Sequence, residues 1–178
     1  SAVIQHRLEV SIDPASHRLS ARDELSLATP VSAPIRFRLH PGLQPRVGEP
    51  GASLRRLGGG GQGEREVEEY ELVFPAGQQR CRIEYGGEIH HPIQPLGRDY
   101  GREMGVTSGI IATEGVFLSG ASYWYPEIAG AALGFELRVH LPPGWRSVRP
   151  GLAPPQDSAS REDGEVWRSD QPQEEIYL

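Results

Sequence analysis

The sequence predicts an all-β protein, an antiparallel β-sandwich, and three observations carry that prediction. Apolar residues recur with a period of two rather than 3.6, as in Leu8, Val10 and Ile12, which puts alternate side chains on opposite faces of a strand. Turn formers interrupt the alternation at short intervals: 22 glycines and 16 prolines in 178 residues, more than a helical protein tolerates. No amphipathic stretch of three helical turns stands out anywhere in the chain.

The first predicted strand carries Leu8, Val10 and Ile12 and ends at the turn Asp13-Pro14-Ala15-Ser16. Leu19, Ala21, Leu25 and Leu27 return, with Asp23 as a polar intruder on the apolar face. Ile35, Phe37 and Leu39 make a third strand, cut by Pro41-Gly42. Tyr70, Leu72 and Phe74 make the next, ended by Pro75-Ala76-Gly77, and Cys81, Ile83 and Tyr85 follow before Gly86-Gly87. Phe135, Leu137, Val139 and Leu141 alternate up to Pro142-Pro143-Gly144, and Val166-Trp167 and Ile176-Leu178 read as two last short strands. Gly58-Gly59-Gly60-Gly61 reads as a plain loop tip, because no helix follows it to build a phosphate cradle. Residues 91–113 read as a long irregular loop, rich in Gly and Pro, of the kind that is functional or packed under something else.

The length suits a single domain over residues 1–178 with a core of its own. The formal charge is −6, and all 18 basic residues are arginines interleaved with acids. No basic block forms, which argues against nucleic acid as a partner. No apolar run reaches membrane-spanning length. The one cysteine, Cys81, excludes an internal disulfide and lies on the apolar face of its strand, where an inert buried thiol is expected. The chain opens on Ser1 rather than Met, which reads as a trimmed or processed polypeptide.

Catalytic signatures do not assemble. HExxH and Gly-x-Ser-x-Gly are both missing. His90 and His91 are adjacent on a strand and so face opposite ways, which argues against the pair sharing one metal ion. Glu64, Glu66 and Glu68 would share one face of a strand, as a solvated edge. No catalytic residue, cofactor site or metal ligand is assigned in this chain.

Several stretches nonetheless belong together. Leu8-Glu9-Val10-Ser11-Ile12-Asp13-Pro14 with His17 to Asp23, then Ile35 to His40, then Glu114 to Gly120 with Tyr123-Trp124-Tyr125-Pro126, then Phe135 to Trp145 and Trp167 to Leu178, follow one another in an order and spacing that resembles the N-terminal β-sandwich domain of the aminopeptidase N-type (gluzincin, HExxH) zinc metallopeptidases, in a bacterial branch. The likeness is spread over most of the chain and is patchy between residues 41 and 113. It implies a non-catalytic domain, extracytoplasmic, whose partner is a C-terminal catalytic domain of the same polypeptide beyond Leu178. Zinc and the general-base glutamate would lie in that domain. Family members also place a Gln or Glu against the substrate's free amine. The matching position here, near Leu118-Ser119-Gly120, has neither, and Glu114 and Glu127 fall off the motif.

The stretch 114–127 concentrates Phe117, Tyr123, Trp124 and Tyr125 in a chain that is 7% aromatic. As a strand it would put Tyr123 and Tyr125 on one face and Trp124 on the other, buried on both sides. Ser119, Gly120, Tyr123, Trp124, Tyr125 and Glu127 are therefore the candidate interdomain or substrate-cleft surface. Trp124 and Trp145 are the expected large buried side chains. The alternative function is a stand-alone carbohydrate- or ligand-binding sandwich with Tyr123-Trp124-Tyr125 as its stacking platform.

Overall fold

The computed structural model describes residues 3–60, 66–92, 107–148, 164–169 and 171–178. Alternation sets the first hairpin: strand β1 (Val3–Asp13) buries Ile4, His6, Leu8, Val10 and Ile12, and β2 (Arg18–Ser26) buries Leu19, Ala21, Asp23 and Leu25. Their turn is built as its sequence demands. Asp13 accepts from the Ala15 amide at 3.1 Å and the Ser16 hydroxyl at 2.7 Å, and His17 takes a positive φ of 59°. β2 then pairs antiparallel with β6 (Arg80–Glu88), whose inward side chains are Cys81, Ile83 and Tyr85. On its other edge β1 pairs with β9 (Ala132–His140), which in turn pairs antiparallel with β10 (Glu165–Arg168).

That sheet, ordered β10-β9-β1-β2-β6, is mixed, since β1 and β9 run parallel. Period-two alternation gives the strands but says nothing of their direction, and the parallel pair joins segments more than a hundred residues apart. A second sheet, β3-β5-β4, combines β3 (Ile35–Leu39), β5 (Val67–Val73) and β4 (Ser53–Gly60). A third piece is the hairpin β7 (Gly109–Ala112) with β8 (Gly115–Leu118). Phe37, Leu39, Tyr70 and Leu72 of the second sheet, with Phe74 just after β5, join the inward residues of the first in one hydrophobic core.

Four expectations need correction. Gly58 to Gly60 are not a loop tip but the end of β4, which pairs with Glu69, Glu68 and Val67. β4 escapes a period-two reading because its apolar residues are few and a bulge between Arg56 and Gly58 breaks the register. Gly61 and Glu64 lie outside the described residues, as do positions 93–106 of the long loop. Gly86 and Gly87 do not end a strand but lie within β6. There the short turn Pro41–Leu43 approaches so closely that a Cβ on Gly87 would stand 1.9 Å from the Gly42 carbonyl oxygen. Trp145 is half-buried rather than fully enclosed. Ile176 to Leu178 form no regular strand, although Leu178 and Leu118 exchange both backbone hydrogen bonds, at 2.6 and 2.9 Å.

The solvent faces are laced by arginine–glutamate pairs across strands, among them Arg55–Glu71, Arg56–Glu68 and Arg168–Glu136. Glu68 is therefore a partner of Arg56, at 2.6 and 2.8 Å, and not half of an acid/base pair. Such exposed pairs are screened by solvent and order the edges more than they hold the fold.

Candidate functional site

The segment after β8 does not continue as a strand. Ser119 leads into a short 3-10 turn, Gly120–Ser122, and Tyr123 leaves it in the left-handed region with φ 54°. This reversal cancels strand alternation, so that consecutive rings point the same way: Trp124 is 0% and Tyr125 1% exposed, while Tyr123 is half-exposed. The expectation that Trp124 opposes the two tyrosines across a strand fails on that single residue. The three rings make no common stacking platform.

What covers Trp124 and Tyr125 is the segment 173–178. The indole Nε1–H of Trp124 donates to the Ile176 carbonyl at 3.0 Å, and the Ile176 amide donates to the Tyr125 hydroxyl oxygen at 3.2 Å. Burial pushes the Tyr125 phenol upward from its ordinary value of 10.0 and keeps it neutral. Glu175 accepts from the Gly120 amide at 2.8 Å and bonds the Tyr177 hydroxyl. Gln173 exchanges two backbone hydrogen bonds with Leu133 of β9, as Leu178 does with Leu118 of β8. Residues 173–178 thus stitch the five-stranded sheet to the β7–β8 hairpin, and Trp124 and Tyr125 are the anchors under the stitch.

The remaining predicted residues lie around it. Ser119 donates from its hydroxyl to the Ser108 carbonyl at 2.8 Å. Glu127 takes a bidentate pair from Arg38, at 2.7 and 3.1 Å, reinforced by two backbone bonds between the same residues. The Arg38 guanidinium also lies over the Tyr123 ring, 5.3 Å from its centre. Ser119, Gly120 and Tyr123 therefore form one partly open corner, with Arg38 and Glu127 at its side. Phe117, next to this corner, is exposed. The sequence carried no signal for Arg38, whose role comes from a β3 register that only the folded sheets reveal.

Four of the six histidines come in two pairs. His90 and His91 do face apart, and each meets another histidine. His17 and His90 rings lie 4.0 Å apart, with His17 Nδ1 bonded to the Ile111 carbonyl. His40 and His91 approach at 2.9 Å between their Nε2 atoms. The Gly42 amide donates to His40 Nδ1 at 3.1 Å, so the neutral His40 ring carries its proton on Nε2 and gives it to His91. A metal ion at His40 Nε2 would need the proton on Nδ1, against the Gly42 N–H. Among the described residues no three His, Cys, Asp or Glu side chains are grouped to hold a metal ion. Cys81 is pushed up to about 12 by burial, and further by Glu49, which keeps the thiol protonated.

Burial first, and the His91 ring second, push His40 down from 6.5 to about 4. The unfolded chain then takes up a proton between those values that the folded chain refuses. Stability is accordingly complete above about pH 6.5 and declines as the pH falls toward 4. Denaturant midpoints measured across that window should fall with pH in the native chain and fall less in His40→Gln. Equal slopes in both would show that other groups set the dependence.

Glu127 also lines a concave site. His6, 3% exposed, bonds through Nδ1 to the fully buried Asp23 at 2.6 Å, and its ring meets Tyr125 edge-on at 5.8 Å. Behind them the Tyr85 hydroxyl is raised well above 10.0 by burial and then by the Asp23 charge. The polar intruder in the β2 pattern is thus the partner of a core histidine. His6 also lines a cavity of about 330 Å³ with Ile4, Glu127, Ala131, Leu133 and Glu174.

No family model and no curated protein matches this sequence. Solved structures do. A crystal structure of an M1 zinc metallopeptidase variant from Deinococcus radiodurans matches over 94% of this chain and 38% of its own, with 16% identity and a TM-score of 0.50. Native yeast LTA4 hydrolase matches over 94% of this chain and 26% of its own, with 9% identity and a TM-score of 0.53. The same yeast enzyme in complex with bestatin gives 9% and 0.52. This chain therefore has the all-β fold of the part of the M1 zinc metallopeptidases that it overlays, a part that amounts to well under half of either enzyme's length.

Proposed function

We propose that this chain serves as the non-catalytic N-terminal β-sandwich of a secreted, aminopeptidase-like zinc metallopeptidase, packed against a following catalytic domain whose substrate cleft it helps to shape. One observation supports this most: the fold spans nearly all of this chain and only 38% or 26% of the peptidases it resembles. The rest of such an enzyme would hold the zinc and its HExxH motif. In this reading the corner of Ser119, Gly120 and Tyr123, braced by Arg38 and Glu127, faces the catalytic domain. Trp124 and Tyr125 hold that corner from beneath. The carbohydrate platform lacks comparable support, because two of its three rings are buried.

The test is to express this chain alone and within its full reading frame. The longer protein should carry HExxH, bind zinc, hydrolyse aminoacyl anilides and appear in the extracytoplasmic fraction, while the isolated chain does none of the chemistry. Hydrogen exchange at residues 119–123 should slow when the following domain is present. A full reading frame without HExxH, or unchanged exchange at that corner, would count against the proposal.

A further inference from the structure

We propose that the cavity beside His6 binds a small organic cation, an ammonium or guanidinium on a short aliphatic stem, with His6 Nε2 as its hydrogen-bond acceptor. The inference does not depend on a peptidase parent. Asp23 is fully buried and its Oδ2 lies 2.6 Å from His6 Nδ1. A carboxylate only accepts, so Nδ1 carries the proton and Nε2 is the nitrogen left to take the ligand's N–H. That nitrogen makes no hydrogen bond within the described chain, although the His6 side chain is 2% exposed and forms part of the cavity wall. A histidine oriented by a buried carboxylate at one nitrogen, with its other nitrogen left unbonded, is the arrangement that second-partner orientation produces in binding sites.

The surroundings select the ligand's charge. Asp23 stands behind His6, and Glu127 and Glu174 line the cavity. Arg38 is bonded to Glu127, one guanidinium against three carboxylates. The walls between these groups are apolar, from Ile4, Ile128, Ala131 and Leu133. The volume, about 330 Å³, lies at the small end of ligand pockets. An alkyl stem would fit the walls, and an N–H donor at its tip would reach Nε2. An anion would meet carboxylates, and a neutral alcohol would gain the one hydrogen bond without the charge.

Imidazole ¹⁵N–¹H correlation spectra of the chain should test this, with n-butylammonium, butylguanidinium, butanol and butyrate as probes. The cations should shift the His6 ring nitrogens saturably, butyrate should not, and butanol should do so at least tenfold more weakly. Glu174 is exposed, so Glu174→Gln leaves the fold intact and should weaken the cations about threefold or more. Ala131→Leu should fill the mouth and abolish the response without touching a polar group. An acetylated, amidated tripeptide with a central lysine separates the two sources of such a cation. A response to it indicates a side chain of another protein, and a response to the free amines alone indicates a metabolite. No His6 response to either cation, an equal response to butanol, or a response that survives Ala131→Leu would overturn the proposal.

Discussion

Trp124→Ala is expected to destabilise the chain by about 3–5 kcal/mol, the range for truncating a fully enclosed tryptophan. The indole is 0% exposed and packs edge-on to Tyr125 at 5.3 Å. Its removal leaves a cavity between the core and the tail, and it also strips the Ile176 carbonyl of its donor. At this chain length each kcal/mol corresponds to about 2–4 °C of Tm, so a fall of roughly 10 °C should be seen in a thermal melt. Trp124→Phe keeps most of the apolar volume and loses the hydrogen bond, and should cost about 1–3 kcal/mol. The same variants should release residues 173–178, read as faster hydrogen exchange at Gln173 and Leu178, whose amides bond to Leu133 and Leu118. A change under about 1 kcal/mol for Trp124→Ala would mean that the tail, not the indole, holds this corner.

How much of this was legible in the sequence depends on whether the physics was local. β1, β2, β3, β5, β6 and β9 announce themselves because each has one wet and one dry face, and side-chain alternation records that directly. β4 is an edge strand with little to bury and a bulge, so it leaves no periodic trace. The parallel β1–β9 pairing and the Arg38–Glu127 clamp are long-range choices, and no local pattern encodes them.

The aromatic cluster was legible as a buried feature and not as a shape. Residues 173–178 of the same chain supply the hydrogen-bond partners of Trp124 and Tyr125, a pairing too distant in sequence for any local pattern to encode. The element responsible is Tyr123 in the left-handed region, a conformation rare for a non-glycine residue and invisible to a period-two reading. Asp23 was visible as an intruder among Ala21 and Leu25. Its meaning needed His6, which sits on the same apolar face one strand away and breaks that strand's pattern less conspicuously.

That pair gives the second large effect. Asp23→Ala should cost about 3–5 kcal/mol, because it leaves a core histidine facing an apolar wall without its partner. His6→Ala should cost a comparable amount, since the Asp23 carboxylate is fully buried and its only hydrogen bond in the described chain is to His6. The double replacement His6→Leu with Asp23→Val should cost much less than the two single losses together, because both polar groups leave and the site becomes ordinary sandwich core. A cycle built from His6→Leu, Asp23→Val and the double variant isolates the interaction, and a coupling of about 1–3 kcal/mol is expected from urea denaturation. Additive losses would show that each residue is held by packing alone. A double variant as stable as the native chain would carry a further consequence. The pair would then be maintained at no benefit to folding, which is what a polar group kept for the ligand in the adjoining cavity requires.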